Sequence, residues 1–84
     1  MPPTRPASEF TRYVNGGTVR RLREAYGIPQ GKFAIDCNIT PGYLSNIEAG
    51  RKQPSPEKMR RIAERLGVAL DDISYVIPAE QVPA

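Results

Sequence analysis

Residues 30–49 read QGKFAIDCNITPGYLSNIEA, and the order of small, apolar and polar side chains in them decides how the chain folds. A short helix starts at Gln30 and turns Phe33, Ala34 and Cys37 inward. Asn38 breaks it, because asparagine tolerates a positive φ better than any residue except glycine. Ile39 is a buried turn residue. Thr40 followed by Pro41 is a start signal: the hydroxyl can take an orphan backbone N–H, and proline suits the first helical position, where no N–H is needed. The new helix runs to about Ala49 and stops at Gly50. Two helices meeting steeply over a short turn need a small side chain at their closest approach and a turn residue at positive φ. Ala34 and Asn38 meet those needs, and Leu44 and Ile47 face the preceding helix.

The flanks repeat the helical theme. Upstream, Val19, Leu22 and Tyr26 recur at three- and four-residue spacing, one apolar stripe of a helix from about Gly17, and Gly27 offers an inexpensive left-handed stop. Downstream, a polar loop over residues 51–54 leads to Ser55 and Pro56, the same opening as Thr40 and Pro41. Met59, Ile62, Ala63 and Leu66 then share one side of a helix that ends at Gly67. Val68, Leu70 and Ile73 suggest a short fifth helix around LDDIS. At the front, Phe10, Arg12 and Val14 alternate with Thr11 and Tyr13, a short extended piece. At the back, YVIPAEQVPA drifts into an extended tail. The expected fold is all-α: a compact bundle of about five short helices with a helix-turn-helix at the second and third. The domain is expected over residues 10–77, between a flexible N-terminal arm (1–9) and a C-terminal tail (78–84).

Bulk properties bound the function. With 84 residues, nine prolines and seven glycines, one small core is expected, since a chain of this size removes only about 60% of its surface from water. Residues 1–65 hold all 12 basic and 6 of the 9 acidic side chains, whereas residues 66–84 hold 3 acidic and no basic ones. That asymmetry points to a polyanionic partner for the front and another task, such as self-association, for the back. A single cysteine and no histidine exclude an intramolecular disulfide and the commonest general base and metal ligand. With no phosphate-binding glycine loop and no metal-ligand cluster, nothing supports an enzyme, a cofactor or a metal. No apolar run approaches a membrane span and MPPTRPAS lacks the centre of a secretory signal, so the compartment expected is the cytoplasm.

RRLREAYG before residues 30–49, YLSNIEAG within and just beyond them, a loop ending KQPSP and AERLGVALDDI after it occur in order. Together they resemble the lambda repressor and Cro-like helix-turn-helix proteins, often called the XRE family, over residues 19–73. The resemblance implies a lambda-repressor-like fold whose third helix lies in the DNA major groove. It maps the family's base-contact positions onto Pro41, Gly42 and Asn46, sets Thr40 beside the DNA backbone, and implies an ion pair between Arg23 and Glu48 joining the first and third helices.

The residues themselves say more. At 100° per residue, burying Leu44 and Ile47 leaves Gly42, Ser45, Asn46 and Ala49 outward, all short, which lets a helix backbone approach the groove floor. Asn46 can donate and accept together, which suits adenine, and Ser45 or Thr40 can meet a base or a phosphate. Pro41 and Gly42 offer no side-chain hydrogen bond where other members carry glutamines, so DNA shape or a thymine methyl can supply part of the specificity. Gln30, at a helix start, is a phosphate candidate, with Lys32, Arg51 and Lys52 as nearby positive charge. For Lys32, Arg51 and Lys52 the rival reading is a solvated surface, and for Tyr43 it is packing in place of a phosphate contact by the hydroxyl. Cys37 reads as a small core residue, and the charges of Arg60, Arg61, Arg65, Glu57 and Glu64 as a solvated helix face. Arg5 and Arg12 are minor-groove contacts or parts of a mobile tail.

The expectation is a sequence-specific double-stranded-DNA-binding transcription regulator, a phage-type repressor or Cro-like protein that occludes an operator. Such proteins usually bind as dimers on palindromic sites. Ile73, Tyr75, Val76 and Ile77 either form the homodimer surface or fold back on residues 10–14 to seal the core. The alternative from another class is an antitoxin of the same fold whose tail binds a toxin and whose DNA binding serves autoregulation.

Overall fold

The computed structural model describes residues 10–78. In chain order it contains β1 (Phe10–Val14), α1 (Gly16–Ala25), α2 (Gln30–Asp36), α3 (Pro41–Glu48), α4 (Pro56–Leu66), a single 3₁₀ turn over Leu70–Asp72, and β2 (Ser74–Pro78). The proposed arm and the last six residues of the proposed tail lie outside the described residues.

Three of the four helices, α1, α3 and α4, start where a short polar side chain takes an orphan N–H, whereas α2 follows Pro29 with no side-chain cap. Asn15 accepts from the Thr18 amide at 3.1 Å, Thr40 from Tyr43 at 3.0 Å and Ser55 from Lys58 at 3.3 Å. Pro41 and Pro56 open α3 and α4 without an N–H to satisfy. The α2–α3 turn passes through Asn38 at φ +59°, and Gly27, Gly50 and Gly67 close the other helices at left-handed φ. The core gathers Val14 and Ile73 from the ends of the chain with Val19, Phe33, Ala34, Cys37, Leu44, Ile47, Met59, Ile62, Ala63 and Leu66 from the helices.

Three expectations need correction. Among the described residues the bundle has four α-helices and not five, because the LDDIS segment makes one 3₁₀ turn. There the Asp72 carboxylate accepts from the Ala69 amide at 2.9 Å and the Ser74 hydroxyl donates to the Leu70 carbonyl at 2.6 Å, so side chains take groups a longer helix would use. Nor is the fold all-α. β1 and β2 form an antiparallel two-stranded sheet, with Phe10 opposite Pro78, Tyr13 opposite Tyr75 and Val14 opposite Ser74. The rings of Tyr13 and Tyr75 stack at 5.8 Å between centroids. Finally, Tyr26 is exposed; Val19 is buried and Leu22 packs against the core as expected, and Gly16 and Arg23 complete the inward side of α1. The mostly helical, compact design otherwise stands.

Candidate nucleic-acid interface

α3 is held from its inner side. Leu44 and Ile47 are buried in the core, and Glu48 receives the Arg23 guanidinium in two contacts, Nε to Oε2 at 2.7 Å and Nη2 to Oε1 at 3.2 Å. The Glu48 carboxylate raises the pKa of Arg23, keeping it charged despite burial. Arg23 also donates to the Ile28 carbonyl at 2.9 Å, and the Gln30 amide donates to Glu48 at 3.0 Å, so one buried carboxylate ties α1, the start of α2 and α3 together. α1 and α3 come so close at Gly16 that a Cβ there would collide with the backbone carbonyls of Ile47 and Glu48. Sequence reading did not single out Gly16, since a glycine pair looks like any turn until its packing partner is known.

The outer side of α3 is open. Pro41, Gly42 and Ala49 are exposed, Ser45 and Asn46 half-buried, and a Cβ at Gly42 would meet nothing within 4 Å. Thr40 is exposed, with its hydroxyl serving as the cap of α3. Asn46 Oδ1 accepts from Arg51 Nε at 2.9 Å. Among the described residues neither Arg51 nor Lys52 has a carboxylate partner, whereas Lys32 lies 3.8 Å from Asp36. A surface cleft of about 440 Å³ brings Gln30, Ser45, Ala49 and Arg51 together with Arg20, Arg23 and Glu48. Lys52 does not line it but lines a second groove with Tyr13 and Tyr75, which Arg51 also borders. Arg20, bonded to Glu24 at 2.6 Å, is an addition to the expected set; its position three residues before Arg23, on the same helix face, was the available signal.

The loop after α3 is built, not loose. The Gln53 side chain accepts from the Val14 amide at 2.7 Å and donates back to the Val14 carbonyl at 3.4 Å, acting as a one-residue strand partner for β1. Half-buried Tyr43 donates its hydroxyl to the Gln53 carbonyl at 3.5 Å. Gln53 is thus a positioning residue with no local sequence signal, because its partner lies 39 residues away.

The helix-turn-helix family matches residues 19–73, from the buried Val19 of α1 to the core residue Ile73. This chain belongs to that family, the lambda-repressor-like helix-turn-helix proteins. It is accordingly a DNA-binding transcription regulator and not an enzyme. An uncharacterized HTH-type transcriptional regulator of Sinorhizobium fredii is 29% identical over 72 residues, 86% of this chain and 91% of that one. The control protein C.BamHI of Bacillus amyloliquefaciens is 32% identical over 74% of this chain and 78% of its own length. The crystal structure of the clp gene regulator ClgR from Corynebacterium glutamicum matches with a TM-score of 0.65 at 33% identity, over 68% of this chain and 61% of that one.

Other candidates fall outside this helix-turn-helix face. Arg12 sits in β1, its guanidinium donating to Asp71 at 2.8 Å and Ser74 at 2.7 Å, and is not part of a mobile tail. Arg5 lies outside the described residues. Cys37 is buried, and burial pushes its thiol up to about 11, so it stays neutral at ordinary pH. Of the proposed dimer residues Ile73 is core, while Tyr75 and Val76 are exposed and Ile77 half-buried. Among the described residues no helix is long and apolar enough to cross a membrane.

Proposed function

We propose that this regulator recognises a specific double-stranded operator by laying α3 in the major groove and acts as a repressor by occluding that site. Asn46 and Ser45 read base edges, Pro41 and Gly42 let the backbone approach the groove floor, and Thr40, Gln30, Lys32, Arg51 and Lys52 neutralise or bond flanking phosphates. Tyr43 steadies the loop through Gln53. The exposed apolar residues Tyr75 and Val76 are the candidate surface for a second copy on a palindromic site. The toxin-binding alternative gains no support, because residues 75–78 of the tail it relies on pair with β1.

Gly42 carries the proposal. Glycine lowers helix stability by up to about 1 kcal/mol, and here nothing inside the protein requires it: φ is helical and a Cβ would enter open space. A residue the fold does not need fits a surface that another molecule must approach. Sites selected in vitro from random duplexes with the purified chain provide the ligand. Gly42→Leu should keep or raise its melting temperature and lose affinity for that duplex by about tenfold or more, the scale of one lost base contact. Undiminished binding by Gly42→Leu would remove the close-approach reading.

A further inference from the structure

We infer that Asn46 and Arg51 form one donor-rich reading unit that favours guanine, where asparagine alone would favour adenine. The inference rests on the DNA-reading function proposed above.

A side-chain amide has one accepting and one donating end. Arg51 Nε lies 2.9 Å from Asn46 Oδ1, and a guanidinium has no acceptor, so the amide end turned toward it must be the oxygen. Backbone geometry brings the two residues together. Gly50, at φ +79°, turns the chain over the end of α3, and the amides of Arg51 and Lys52 both donate to the Asn46 carbonyl, at 2.8 and 3.3 Å. Arg51 therefore emerges beside Asn46. What the pair still offers is the Nδ2 group of Asn46 and the two Nη groups of Arg51, all donors, against one remaining lone pair on Oδ1.

In the major groove adenine presents an acceptor at N7 and a donor at N6, so asparagine satisfies it only by using both amide ends. Guanine presents two acceptors, N7 and O6. With one Oδ1 lone pair taken by Arg51, an adenine N6–H finds only the second lone pair, beside the guanidinium donors, whereas both guanine acceptors face donors. Arg51 thus gains a role distinct from phosphate neutralisation: it biases the pair toward reading with its donors.

Duplexes selected in vitro locate the base pair at which Asn46→Ala loses discrimination, and fluorescence anisotropy then compares purines there. Wild type should prefer guanine over adenine by about tenfold. Replacing that guanine by 7-deazaguanine, which lacks the N7 acceptor, should remove most of the preference. Inosine, which keeps N7 and O6, should not. Arg51→Leu, folded by its melting curve, should shift the ratio toward adenine as Oδ1 is released. Once that base pair is located, the 7-deazaguanine result is read on wild type and does not depend on Arg51→Leu folding. A wild-type preference for adenine at that position, or a guanine preference intact in Arg51→Leu, overturns the inference and leaves the DNA-reading function standing. Selected sites at which Asn46→Ala changes no base preference overturn it too, and failure to select any duplex overturns the function with it.

Discussion

Two seams in this fold are each fastened by an arginine–carboxylate contact of the same length. Arg23 of α1 meets Glu48 of α3 at 2.7 Å, and Arg65 of α4 meets Asp36 of α2 at 2.7 Å. Their surroundings differ. The first pair's side chains are 10% and 4% exposed, the second pair's 34% and 26%. In the first seam little of either side chain reaches water, so each charge depends on the other and on the hydrogen bonds from Gln30 and to Ile28. In the second, water competes for both charges, which leaves a weaker tether. Bond length does not distinguish the seams, but burial does, and the buried one holds the helix that presents Asn46 and Gly42.

The strongest way to break that contrast is to remove one partner of the buried pair. Glu48→Ala strands the Arg23 guanidinium away from water and takes away the acceptor of the Gln30 amide, so it should destabilise the fold by about 3–5 kcal/mol, measured by urea denaturation. Glu48→Gln should cost less, because the amide oxygen can still accept. If Glu48→Ala proved no more damaging than Asp36→Asn, burial would not be what separates the seams.

Gly16 sharpens the same contrast by sterics. In the α1–α3 seam an added methyl meets two backbone carbonyls, which cannot swing aside as a side chain would. Gly16→Ala should therefore destabilise the fold by about 1–3 kcal/mol, as overpacking of a filled interior does. Gly31 on α2 is the control: a Cβ there meets nothing within 4 Å, so Gly31→Ala should be neutral or stabilise by up to about 1 kcal/mol in the same denaturation assay.

The seams also show what a one-dimensional reading can reach. The caps at Thr40 and Ser55, the prolines after them and the left-handed Asn38 act within a few residues of themselves, and local chemistry made all of them readable. The Arg23–Glu48 pair was reached only through family resemblance, since its partners lie 25 residues apart. Tertiary partners with no local pattern stayed hidden. Arg65 read as part of a solvated face until Asp36 stood beside it, 29 residues away in sequence. The strand alternation over residues 10–14 was visible, and residues 73–77 folding back on it was one of two readings left open, but the sheet pairing and its register were not. The 3₁₀ turn was missed because apolar spacing at Val68, Leu70 and Ile73 is helix-like, while Asp72 and Ser74 compete for the backbone. On the interface, outward position was legible from helix geometry; the Arg51–Asn46 contact depends on how Gly50 turns the chain.

The exposed seam makes the smallest prediction, and pH tests it. Arg65 hydrogen-bonds the Asp36 carboxylate and, with Lys32 nearby, holds its pKa below the usual carboxylate range. As pH falls, the unfolded chain takes up this proton before the folded one does. The stability from Asp36 is therefore present above the ordinary carboxylate pKa and is lost as pH drops through the lowered, folded value. Comparing wild type with Asp36→Asn cancels the other carboxylates. Wild type should have the slightly higher urea midpoint at about pH 7, and the gap should close from about pH 4 downward. Salt should narrow it as well, because water and counterions reach Asp36 and Arg65; it should narrow the gap between wild type and Glu48→Ala far less. A difference that survived both acid and salt would mean that Asp36 acts through packing or a neutral hydrogen bond, and charge exposure would then no longer explain why the two seams differ.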